Sequence, residues 1–280
     1  MELSPRYDGD PILRIECGVG EILEPVVRQR RRSVETLREL DEADWATPSR
    51  CDGWTAKDVA AHLSSTNGFW AASLASGLAG NPTRFLDSFD PKATPAELAA
   101  AVADVSVADS FAAYEESTEA LCALIETITV DQLDVIAEAP PGHLAIDAVL
   151  HHALWDSWIH ERDIFLPMGR DVPVETDEVT CALRYAIGLS PSFAVWKDPA
   201  AEGAVVAEAT EPDVAYVTTI RDGSVIVDDS TPPDGALVLR GSAVDLTDHL
   251  SVRAPYAGEI PDDQAWMLRG LADVFEEPVG

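Results

Sequence analysis

Apolar positions recur at helical spacing through residues 11–40, interrupted near Pro25, and the pattern predicts a helical first segment. Residues 45–54, WATPSRCDGW, hold Pro48 and Gly53 and read as turns. Thr55 then stands where an N-cap belongs, with Asp58 three residues on in the capping-box position. The helix it opens runs through DVAAHLSSTNGFWAASLASGL to Gly80. After a loop marked by Pro82, Pro91 and Pro95, a long Ala-rich helix is expected over 96–128. Pro140, Pro141 and Gly142 break the chain, and a further helix covers 143–165, ending before Pro167 and Gly169. Long helices on such connections predict an antiparallel four-helix bundle over residues 1–170.

The pattern changes after residue 190. Residues 204–209 (AVVAEA), 214–221 (VAYVTTIR), 224–227 (SVIV) and 236–240 (ALVLR) read as strands, with Asp222-Gly223 as a hairpin turn. Helices follow over 242–251, with Ser242 as N-cap and Asp245 behind it, and over 262–275. The expectation is a small α+β domain with an antiparallel sheet over 201–280. A segment 171–200 with a short helix and Pro173, Pro191 and Pro199 joins it to the bundle.

Composition narrows the function classes. Hydrophobic residues at 46% and charged residues at 25% are the balance of a globular protein. A net charge of -31 repels nucleic acid and anionic membranes. The cluster Arg28, Arg30, Arg31 and Arg32 reads as a solvated helix face paired with surrounding acids rather than a DNA-contacting arm. No apolar run reaches the ~20 residues that span a bilayer. The polar, acidic start lacks the pattern of a signal peptide, so a cytoplasmic location is expected, as monomer or homodimer. Cys17, Cys51, Cys122 and Cys181 form no CxxC pair, which speaks against a zinc-thiolate site or a disulfide framework. Cys122 reads as core. Cys51 reads as a small, partly buried residue, with a lowered thiol pKa before a helix start as the sharper alternative.

Candidate chemistry concentrates in residues 151–163, HHALWDSWIHERD. On a helix, residues four apart share a face, so His152, Asp156 and His160 lie in one row. Asp156 and His160 can present an oxygen and an imidazole nitrogen to one ion. His62, mid-helix among Val59, Leu63 and alanines, is the candidate partner from a second helix. Two nitrogens and one carboxylate with an open position make a catalytic zinc set, and nickel, manganese or iron(II) would also fit. The plainer alternative is a hydrogen-bonded core row or a solvated edge. His151, His143 and His249 read as structural.

Residues 50–63, RCDGWTAKDVAAHL, resemble the opening motif of the mycothiol-dependent maleylpyruvate isomerase family, within the broader DinB-like group of metal-binding bundles. The family's second motif, Glu-x-x-x-His, reads Asp156-Ser-Trp-Ile-His160, with Asp one methylene shorter than Glu. The strands, LRGSAVDLTDHL and the last helix are similar to the family's small sterol-carrier-like domain, so that the resemblance spans about 26–276. It implies that His62, Asp156 and His160 are metal ligands, with a divalent metal (zinc favoured) and mycothiol as cosubstrate. It implies an enzyme that adds a metal-activated thiolate to an electrophilic small molecule, as an isomerase or a thiol S-transferase. His152, on the metal row, would line the pocket, carry a proton or replace one ligand. Arg84 and Arg253 are the candidate cationic partners for a substrate carboxylate, each also readable as a surface arginine. A small-molecule carrier with a structural metal and a metal-dependent hydrolase are the alternative functions.

Overall fold

The computed structural model describes residues 5–87, 90, 97 and 104–276. Helices α1 (Leu23–Arg38), α2 (Glu42–Trp45), α3 (Ala56–Leu78), α4 (Val107–Ile125), α5 (Ile146–Phe165) and α6 (Thr176–Lys197) precede most of the sheet. Helix α3 packs on α4 and α5, and α1 packs on the same two. Of the long helix expected over 96–128, α4 forms only Val107–Ile125: residues 104–106 are not helical, and Ser106 caps the start by accepting from the Asp109 N–H at 3.1 Å, while residues 98–103 lie outside the described residues.

The N-terminal segment is not helical throughout. Leu13–Ile15 forms strand β1, and α1 begins only at Leu23. Pro25 does not interrupt this helix, because in the first turn its missing N–H has no intrahelical partner to lose. Residues 143–145 are also extended: β2 (Ile136–Ala139) and β3 (Gly142–Ala145) form an antiparallel hairpin, and α5 starts at Ile146. At Gly142, with φ 125°, any Cβ would stand 2.1 Å from the Arg6 carbonyl oxygen, so only glycine fits.

Strands β4 (Gly203–Thr210), β5 (Asp213–Arg221), β6 (Ser224–Asp228) and β7 (Leu237–Gly241) join β1 in a five-stranded sheet of order β1-β6-β5-β4-β7. The Asp222-Gly223 turn takes positive φ at both residues, as a two-residue hairpin requires. The sheet is mixed rather than antiparallel as expected. β1 runs parallel to β6 and β7 parallel to β4, because neither edge strand reaches its neighbour through a hairpin. Helix α7 (Ala243–Leu250) is capped by Ser242, whose Oγ accepts from the Asp245 N–H at 3.0 Å, and α8 (Trp266–Glu276) follows.

Helix α6 is far longer than the short connecting helix read from the prolines. It packs on α5 and on the sheet, and α7 and α8 pack on it. Pro191 is tolerated inside it because the Ile187 carbonyl, which a proline four residues on leaves without a donor, faces the Thr218 hydroxyl at 3.4 Å. One apolar core runs from Ile12 through Trp158, Leu183 and Val227 to Val274. The arginine run of α1 is not one solvated face. Arg30 is buried and donates to Asn67 and to the Ala153 carbonyl. Arg28 and Arg32 converge on the buried Glu178 of α6, and Arg32 also reaches Glu161 of α5. No helix among the described residues is long and apolar enough to cross a membrane.

Candidate metal centre

The Thr55–Asp58 capping box forms as the sequence predicts, with the Thr55 N–H donating to Asp58 at 2.9 Å, and it fixes the start and phase of α3. Val59 and Leu63 of α3 are buried, and His62 stands between them and α5. There Asp156 and His160, one turn apart, meet it. The Asp156 Oδ1 lies 3.8 Å from the His62 Nε2 and 3.6 Å from the His160 Nε2. The three donor atoms fall within 4.8 Å of one another. The imidazoles of His62 and His160 meet edge to face at 5.0 Å, and Trp54 covers His62.

The fit to a cation rests on two observations. The Asp156 Oδ2 is buried with no hydrogen-bond partner, a costly arrangement that a bound cation relieves. Two imidazole nitrogens and one carboxylate suit zinc and its neighbours better than calcium or magnesium.

Behind His160 stands a second charged layer. Its Nδ1 lies 3.0 Å from the Asp163 Oδ2. Arg253 donates to Asp163 from Nε at 3.0 Å and from Nη2 at 2.9 Å. Arg50 donates from Nε at 2.9 Å and holds Asp248 of α7 with its two other nitrogens. The Cys51 thiol donates to the same Asp163 Oδ2 at 3.2 Å. Cys51, His160 and Asp163 form a second convergent donor group. Burial disfavours charge on His160, yet the Asp163 bond, Cys51 and Asp156 raise its pKa to about 10. Burial likewise opposes ionisation of Asp163, and the His160 and Arg253 partners overcome it.

The structure thus brings His62, Asp156 and His160 together, with Arg253 one carboxylate behind them. His152 lies a turn earlier, its Nδ1 2.5 Å from the Tyr185 hydroxyl and its ring against Trp70 and Trp155. Burial lowers its pKa to about 4, which keeps the ring neutral. Arg84 is elsewhere: it pairs with Asp8 at 3.0 Å and stacks over Tyr7. Arg162 covers Trp158 and reaches toward Asp248 rather than toward its sequence neighbours. His143 belongs to β3, not to a helix start, and spans the Tyr7 and Thr83 carbonyls. Asp163 and Arg50 were missed from the sequence. Asp163 had a signal, since it is three residues past His160 and shares its helix face; Arg50 arrives from a loop and had none.

The family model of the mycothiol maleylpyruvate isomerase N-terminal domain matches residues 26–165. The chain belongs to that family. The matched stretch contains all three converging donors and both layers' residues except Arg253 and Asp248. Among solved structures, the crystal structure of a mycothiol-dependent maleylpyruvate isomerase is similar, with 16% identity and a TM-score of 0.60. The alignment covers 88% of this chain and 96% of that one, so the likeness includes the sheet as well as the helices. A histidine-to-alanine mutant of that isomerase matches with the same identity, coverage and TM-score. No curated protein matches the chain.

Proposed function

We propose that the chain is a metal-dependent, thiol-using isomerase that acts on a small electrophile carrying an activated double bond. The observation that carries this reading is the convergence of His62, Asp156 and His160 beside an unsatisfied buried carboxylate oxygen, within a family named for a mycothiol-dependent isomerisation. His62, Asp156 and His160 would hold the divalent cation, with zinc favoured. When bound, such a cation would supply Lewis acidity that lowers the pKa of a thiol held beside it, so that the thiol would give up its proton to solvent near neutral pH; addition of the thiolate to the double bond, rotation and elimination of the thiol would then give the isomer.

The chain's own residues supply the surroundings. Three protein donors leave a position open for thiol or substrate, as catalytic rather than structural zinc sites do. His152 is not among the three converging donors, and its Nδ1 meets the Tyr185 hydroxyl. Arg253, from the loop after α7, brings a guanidinium to the edge of the site and suits a substrate carboxylate. His152 and Tyr185 form a buried pair on the other flank, able to hold a proton between ring and hydroxyl. Mycothiol is the expected thiol, and transfer of the thiol rather than its release is the second outcome of the same first step.

The test is metal analysis and thiol-dependent turnover of the wild type, His62→Ala and His160→Ala. Turnover is followed with mycothiol and cis-configured unsaturated acids such as maleylpyruvate. We expect about one equivalent of metal in the wild type, its loss in both variants, and turnover that requires added thiol. Full metal retention in both variants, or turnover without thiol, overturns the reading.

A further inference from the structure

We infer that Asp163 is a positioning residue for the metal centre: it fixes the tautomer and ring angle of His160 and couples that ligand to Arg253. The inference rests on the metal reading given above. An imidazole that binds a cation through one nitrogen donates its other N–H to an oriented acceptor, which sets both tautomer and direction. Here the two nitrogens of His160 face opposite ways. Nε2 lies 3.6 Å from Asp156 on the side of His62, and Nδ1 lies 3.0 Å from the Asp163 Oδ2. An Nδ1–H donated to Asp163 leaves the Nε2 lone pair for the cation.

Asp163 is suited to the task because it is buried and held by several donors. Its side chain is 0% exposed. Arg253 grips both of its oxygens, Arg50 grips Oδ1, and its own carbonyl accepts from the Arg50 N–H at 3.0 Å. The same Oδ2 receives His160, Cys51 and the Arg253 Nη2. A purely structural ion pair would be complete with the two arginines. The third partner, a ring whose far nitrogen points at the donor cluster, is what the pair alone does not explain.

The test uses the full chain and cobalt(II) as a spectroscopic ion. Asp163→Asn keeps size and one acceptor oxygen but removes the charge. We expect a 10- to 100-fold weaker cobalt(II) affinity by chelator competition, a changed visible absorption spectrum, and recovery of both in part by Asp163→Glu. A folded Asp163→Asn with wild-type affinity and spectrum overturns the inference. A wild type that binds no cobalt(II) or zinc overturns the metal reading itself, so the two failures are distinct. Long-range ¹⁵N-histidine spectra of the zinc-loaded wild type need no variant at all. Nδ1 protonated and Nε2 metal-bound in His160 is the expected pattern, and the reverse tautomer refutes it even if the variants fail to fold.

Discussion

Asp147→Asn should stabilise the protein near neutral pH and do nothing in mild acid. Asp147 sits in the first turn of α5, almost wholly buried. Its Oδ1 has only a long contact from the Gly20 N–H at 3.5 Å, and its Oδ2 has no hydrogen-bond partner, although the His151 Nδ1 lies 3.4 Å away. The nearby His151 spends its Nδ1–H on the Asp147 carbonyl at 2.8 Å instead. Burial therefore outweighs the Gly20 contact and the charge of Arg184, and raises the carboxyl from its ordinary 3.8 to about 6. The folded state then binds this proton more tightly than the unfolded state. The stability it contributes is fully present below the unfolded pKa near 3.8 and is lost as pH rises through about 6. A shift of about two units corresponds to a ceiling of ~3 kcal/mol at pH 7–8. Asn keeps the acceptor for Gly20 and removes the charge. Urea denaturation of wild type and variant at several pH values from 4 to 8 measures the difference. The variant's advantage should open between pH 4 and 7 and then level off. Parallel curves over that range, or a variant less stable than wild type at pH 8, would refute the reasoning.

Two further outcomes follow from the ion pairs. Glu178→Ala strips the buried partner from both Arg28 and Arg32, which keep Asp177 and Glu161, and should cost about 1–3 kcal/mol in urea denaturation. Arg84→Ala loses only an exposed pair with Asp8 and a stacking contact on Tyr7, so metal content and thiol-dependent turnover should stay at wild-type level; a large loss of turnover would return Arg84 to the site.

The elements that were legible in both halves carry local signals. The Thr55 and Ser242 caps, the Asp222-Gly223 turn and the row Asp156–His160 each depend on residues within four positions of one another. What escaped depends on distant partners. Three residues of β1 carry no periodicity of their own and become a strand only by pairing with β6. Pro191 reads as a breaker until Thr218, on another element, meets the carbonyl it strands. At the site, Cys51, Arg50 and Arg253 stand on loops, and only the fold brings them to Asp163. The parallel edges of the sheet were invisible for the same reason: register between strands far apart in sequence is set by packing, not by a turn.

The strand β1 also dictates an order of assembly. Leu13–Ile15 is made long before the residues it pairs with, Val225–Val227, which follow more than two hundred positions later. Until then the opening segment has no edge to join, while the helices between can already collapse on one another. Closing the sheet therefore ties an early-made segment to a late-made one. The candidate metal site inherits that timing. Its two imidazoles and the Asp156 carboxylate lie on helices made earlier, but the Arg253 clamp on Asp163 arrives only once the residues after α7 are made. Translation itself thus separates a moment when a cation could be captured from the moment when the guanidinium seals the layer behind it.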